Sequence, residues 1–180
     1  MFDQHPHDWQ QDLALGDVVL FRFPTTEDVP DGETPKMRPC LVLDTPRLGL
    51  HRFAKLAYGT SAYGNSNRGR EVSIRQPTSI EAAGLDRPSR FTLERTLLVS
   101  LDHPGFEAEK HGDPRIGRLD EGLMERLHAL RARMQAAADI AADHRRVRLE
   151  ERRRWQAEGR AAAQHNRRLL QGRGLAGGAR

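Results

Sequence analysis

The sequence predicts a mainly β fold with a helical C-terminus: a small antiparallel barrel or twisted sheet, a closing helix, and an extension of that helix into a basic tail. Three observations carry this. Short β-branched and aromatic runs recur between residues 17 and 101, divided by Gly, Pro, Ser and Asn clusters with no helical pattern between them. After Asp120 the apolar period becomes that of an α-helix. Charge then separates along the chain. Residues 131–180 hold 13 arginines and five acids, a balance of +8, and residues 1–130 hold 16 basic and 20 acidic groups, a balance of −4, giving +4 over 180 residues.

Taken in order, residues 1–13 are polar, contain His5 and His7, and read as a flexible arm. Residues 14–135 form the predicted barrel domain. Asp17–Phe23 is a first strand, ended by Pro24. Thr25–Lys36 is a long loop with Glu27, Asp28, Asp31 and Glu33. Pro39–Asp44 is apolar enough to be buried on both faces, and Leu50–Tyr58 alternates in part. A Gly/Ser/Asn-rich stretch, 59–69, precedes a short strand at Glu71–Ile74, and Pro77–Pro88 reads as a connector. Phe91–Leu93 and Thr96–Leu101 are the last two strands. Asp120 is a suitable helix N-cap, and Leu123, Leu127, Leu130 and Met134 share one helical face, continued weakly by Ala138 and Ala141. Residues 136–171 are a basic helical extension that loses this stripe, and 172–180 is a glycine-rich tail expected to be disordered.

Composition excludes several classes. One cysteine allows no intrachain disulfide framework and no multi-Cys zinc site, and fits a reducing, cytoplasmic setting. No apolar run reaches the roughly 18–20 residues of a membrane span, and the N-terminus lacks a signal-peptide core. The mean hydropathy of −0.71 marks a chain with a small core for its length.

Enzyme motifs are few. Gly59-Thr60-Ser61-Ala62-Tyr63 nearly matches a serine-hydrolase elbow but ends in Tyr, and Ser61 with Asp102 and His103 makes a poor triad because Pro104-Gly105 marks His103 as a turn residue. Cys40 sits in an apolar strand and reads as a buried hydrophobe. No Walker or dinucleotide-binding loop is present. What remains is a set of arginines and hydroxyls at strand ends. Pro39 holds Arg38 extended, Gly59 permits close backbone approach near Thr60 and Ser61, and Arg90 opens a strand after Pro88-Ser89. Two guanidiniums and a hydroxyl suit a phosphate.

Gly16-Asp17-Val18-Val19-Leu20, followed by Met37-Arg38-Pro39-Cys40-Leu41-Val42-Leu43, resembles the opening blocks of the MazF/PemK toxin family. Ala57–Ser61 is similar to the hydroxyl-bearing turn of that family, Pro88–Leu93 to the start of its last long strand, and Leu119–Arg131 to its closing helix. The resemblance covers about residues 14–133. It implies an SH3-like barrel, a homodimer, a cognate antitoxin, and metal-independent, cofactor-free cleavage of single-stranded RNA through a 2′,3′-cyclic phosphate. It implies catalytic roles for Arg38, Thr60, Ser61 and Arg90. Lys36, Arg38, Lys55, Arg68, Arg70 and Arg90 are the expected RNA contacts. Two departures stand out: Thr92 replaces a carboxylate found in some members, for which Glu94 or Asp102 is a candidate substitute, and Ala62 replaces a common Gln. A catalytically lapsed module that binds nucleic acid or protein is the alternative, with the basic tail supplying affinity.

Overall fold

In the computed structural model, residues 9–25, 34–62, 69–108 and 112–175 are described, with side chains described to residue 168. The chain divides into two compact units, Met1–Ala132 and Arg133–Arg180. The first holds α1 (Trp9–Asp12), β1 (Asp17–Arg22), β2 (Met37–Asp44), β3 (Arg47–Leu48), β4 (His51–Thr60), β5 (Glu71–Ile74), α2 (Pro77–Ala82), β6 (Ser89–Ser100), a 3-10 turn (Pro104–Phe106), β7 (Arg115–Arg118) and the start of α3 (Glu121–Leu175).

The strands form an antiparallel sheet in the order β5-β6-β4-β2-β1-β7, with β3 pairing on β4. The strands exist because their apolar residues bury on both sides of this sheet. Cys40, Leu41, Val42 and Leu43 are all buried, as the unbroken apolar run of β2 requires. One face carries Val19, Phe21, Cys40, Val42, Ala54 and Leu56, packed with Val99, Leu101 and Phe106. Phe21, Phe106 and Trp9 contact one another ring to ring, with centroids 4.8 Å apart for Phe21–Phe106 and 5.2 Å for Trp9–Phe106.

The two sheet edges are linked by α2, which follows β5 and packs on β7. Backbone runs against backbone there: a Cβ on Gly117 would lie 2.3 Å from the Ala83 carbonyl carbon, and one on Gly84, whose φ is +65°, would lie 1.8 Å from the Ile116 carbonyl oxygen. Only glycine fits either position.

Several expectations change. The last residues of the arm pack into the core: Trp9 and Leu13 are buried, one helical turn apart, and Leu13 N–H donates to the Trp9 carbonyl. His5 and His7 lie outside the described residues. The Pro77–Pro88 connector contains α2, started by Pro77 in the first helical turn, where a missing N–H costs nothing. The two last strands are one, β6, whose register on β4 jumps at Ala57/Tyr58 so that Leu93, Glu94 and Arg95 bulge. In α3, Asp120 caps as expected, accepting from Leu123 N–H at 2.9 Å. A further hydrogen bond from Ser79, with the N–H groups of the first turn, holds the Asp120 carboxyl below its ordinary range. Leu127 and Leu130 are buried and Leu123 and Met134 half-buried, but Ala138 and Ala141 are exposed, so the stripe ends at Met134. Residues 172–175 are helical, and 176–180 lie outside the described residues. No helix among the described residues is long and apolar enough to cross a membrane.

Candidate functional site: a cross-strand row of arginines and hydroxyls

Strand register assembles the site. Thr60 on β4 pairs directly with Arg90 on β6, and Arg90 pairs with Ser73 on β5. On the other side Cys40 pairs with Tyr58 and Leu41 with Ala57. The same register carried two residues further sets Arg38 opposite Thr60, and Phe21 on β1 pairs with Arg38. Directly opposed residues in an antiparallel sheet point to the same face. Phe21, Arg38, Thr60, Arg90 and Ser73 therefore form one row across five strands, apolar at the β1 end and polar at the β5 end.

The adjacent row on that face is Val19, Cys40, Tyr58, Thr92 and Glu71. Glu71 stands directly across from Thr92, so a carboxylate reaches the row from β5 although residue 92 itself is Thr. Its Oε2 accepts from Arg90 Nη1 at 3.2 Å, and its Oε1 accepts from Ser73 Oγ at 3.3 Å. The pair is largely shielded, with 15 % of the Arg90 side chain and 13 % of the Glu71 side chain exposed. The ring of Tyr58 is approached by two cations, 5.8 Å from the Arg38 guanidinium carbon and 4.3 Å from that of Arg95. The Nε atoms of Arg38 and Arg90 are both buried.

Thr60 ends β4 in a local turn: Ala62 N–H donates to Thr60 Oγ1 at 3.1 Å, so the hydroxyl proton points elsewhere. Thr60, Ser61, Ser73, Arg75, Ser89 and Arg90 line a small, solvent-open depression of about 30 Å³. Arg38, on β2, is not among its walls.

Of the residues singled out in the sequence, Arg38, Thr60, Ser61 and Arg90 fall in or beside this row. Lys36 is exposed one residue before β2. Lys55 is exposed and of opposite parity to Thr60 on β4, so it faces away from the row. Arg70 is ion-paired with Glu94 on the surface, which engages that carboxylate outside the row. Arg68 lies outside the described residues, as does 26–33 of the acidic loop. Asp102 stands at the other end of β4, 3.9 Å from His51, so neither Asp102 nor His103 approaches Ser61. His103 caps the 3-10 turn instead, its Nδ1 accepting from Gly105 N–H at 2.9 Å. Gly59 makes its close approach to protein rather than to a ligand: a Cβ there would lie 2.2 Å from the Pro39 carbonyl oxygen and 2.7 Å from the Phe91 ring. Cys40 is fully buried, and desolvation pushes its thiol up to about 12, which removes it as a nucleophile.

Sequence reasoning missed Glu71, Tyr58, Ser73, Arg75 and Arg95. Tyr58 carried a readable signal, lying on the same strand face as Thr60. The others enter through the pairing of β5 with β6 and the bulge in β6, neither of which follows from local pattern. Among the described residues, no group of three or more His, Cys, Asp or Glu is placed to hold a metal ion. No protein-family model matches the chain, and comparison with curated proteins finds no match.

Proposed function

We propose that the chain is a metal-independent endoribonuclease of the MazF/PemK toxin type, with an SH3-like barrel, acting as a homodimer restrained by a cognate antitoxin. The observation that carries this reading is the row itself. Two guanidiniums with buried Nε atoms flank one threonine hydroxyl, and a carboxylate stands beside the second guanidinium.

In the proposed reaction the ribose 2′-OH attacks the neighbouring phosphorus. Glu71 takes the 2′ proton, the bond from phosphorus to the 5′-oxygen breaks, and the leaving oxygen is protonated from water. The products are a 2′,3′-cyclic phosphate and a 5′-OH. Charge grows on the non-bridging oxygens, where preorganised donors contribute most. Arg38 and Arg90 stabilise it from the two sides of Thr60, whose hydroxyl donates to one oxygen. Ser61 and Arg75 bind the adjoining nucleotide. Tyr58, which also contacts Arg95, keeps Arg38 in place through its ring.

Purified protein incubated with mixed-sequence single-stranded RNA in excess EDTA tests this. Cleavage by the wild type, reduced about 10²–10³-fold in Arg38→Ala as for a lost oxyanion donor, is the expected result. Tight RNA binding with no product would instead favour the lapsed binding module, a reading supported by the Arg90–Glu71 pair, which neutralises one cation of the row.

A further inference from the structure

The second unit carries an interaction surface of its own, apart from the row on the sheet. Every described side chain from Gln135 to Arg168 is exposed, so none of this stretch is spent on a core. Its charges are sorted by face. At 3.6 residues per turn, Arg146, Arg153, Arg160 and Arg167 recur every seventh residue and form a ladder along one side, with rungs about 10 Å apart. Arg145, Arg148 and Arg152 flank this ladder, and together these arginines fill an arc of about 160°. Asp139, Asp143, Glu150, Glu151 and Glu158 fall within a separate arc of about 120° that adjoins the ladder beside Arg146, where only Arg154 and Arg168 of the 144–168 arginines join them. Trp155 borders the basic arc about two turns beyond Arg148 and is 78 % exposed, an unusual cost for an indole unless something covers it.

We infer that this face binds single-stranded RNA through its phosphodiester backbone, with Trp155 stacking on an unpaired base. A regular ladder of cations matches a regular polyanion and needs no particular sequence. Arginine rather than lysine supplies a planar fork that takes two phosphate oxygens at once. An exposed aromatic beside such a row is the platform that unpaired bases use and paired bases do not. An ion pair within the ladder, Arg146 to Asp143 at 2.6 Å, lies on the surface with 71 % and 57 % of the two side chains exposed, so a phosphate can displace it. The inference stands independently of cleavage by the sheet site.

The test uses the full-length protein and a fluorescent single-stranded 2′-O-methyl RNA, which cannot be cut by 2′-OH attack. Replacing Arg146, Arg153, Arg160 and Arg167 together with Gln keeps helix propensity, checked by circular dichroism. It should weaken binding at least tenfold at low salt and flatten the plot of log affinity against log salt by about 3, at roughly 0.7 per lost contact. Arg154→Gln with Arg168→Gln, on the acidic side, should change the slope by well under half that. Trp155→Ala should lose about tenfold for the single strand and nothing for the same sequence as a duplex. The inference is overturned if the four-fold variant binds like the wild type, or if the acidic-side pair loses as much per charge. It is equally overturned if poly-glutamate of equal charge competes as well as RNA, which would mark the face as a site for an acidic protein.

Discussion

Replacing Glu71 with Gln separates catalysis from architecture at a single carboxylate. The side chain faces Arg90 at 3.2 Å, and both partners are shielded, with 15 % and 13 % of their side chains exposed. At an effective dielectric constant near 20 the gross attraction is about 5 kcal/mol, and the desolvation of two charges cancels most of it. Gln keeps one oxygen to accept from Arg90 Nη1 and offers an N–H to Ser73 Oγ, so the expected loss of stability is about 1–2 kcal/mol, less than for a buried pair broken outright. For a chain of this size that lowers Tm by roughly 2–8 °C, measured by scanning calorimetry. The effect on RNA cleavage is larger by far: loss of a general base costs about 10²–10⁴ in rate. Single-turnover cleavage below Tm should therefore nearly vanish in a protein that is still folded. If Glu71→Gln cleaves within a few-fold of wild type while Arg38→Ala is inactive, Glu71 only anchors Arg90, and the proton leaves by another route.

Other outcomes follow from the same geometry. Gly117→Ala and Gly84→Ala each force a Cβ against backbone at the junction of α2 with β7, and each should cost about 2–4 kcal/mol by denaturant titration, combining overpacking with backbone strain at position 84. Asp120→Ala removes the cap of α3 and should cost about 1 kcal/mol. Because the Asp120 carboxyl is held below its ordinary range in the fold, its contribution is complete above about pH 4 and is lost as pH falls through the lowered folded value. Asp120→Asn should correspondingly flatten the acid side of the stability curve measured from pH 2 to 7. Cys40, buried with its thiol pushed up to about 12, should resist iodoacetamide at pH 8 in the native protein and react fully in denaturant, as read by mass spectrometry.

Strands with dense β-branched content were legible from sequence to within about two residues, because β1 and β2 bury continuous apolar runs and β5 alternates, patterns that the residues themselves display. β7 was not, since Arg-Ile-Gly-Arg has one apolar residue and owes its strand state to backbone pairing with β1. β6 read as two strands because Glu94 and Arg95 interrupt its apolar pattern at the bulge. α2 hid in a stretch that opens with Pro and has one large apolar residue, Ile80. Trp9 and Leu13 did carry a helical spacing, outweighed by the polar residues around them. In the site, Arg38, Thr60 and Arg90 were legible one by one as strand-end residues. Their alignment depends on which strands pair and in what register, a long-range property. Glu71 shows the limit most clearly: some 20 residues separate it from Thr92, and nothing local brings the two together.

The central claim is that the polar row cleaves RNA by attack of a ribose 2′-OH. A single-stranded RNA cut at a mapped position, and the same strand carrying one 2′-deoxynucleotide immediately 5′ of that position, test it when incubated with the protein in EDTA and analysed by mass spectrometry. The account predicts a 2′,3′-cyclic phosphate and a 5′-OH from the all-ribose strand, and no cut at the deoxy position. Cleavage of the deoxy strand at the same bond, or an all-ribose product bearing a 5′-phosphate, would contradict it.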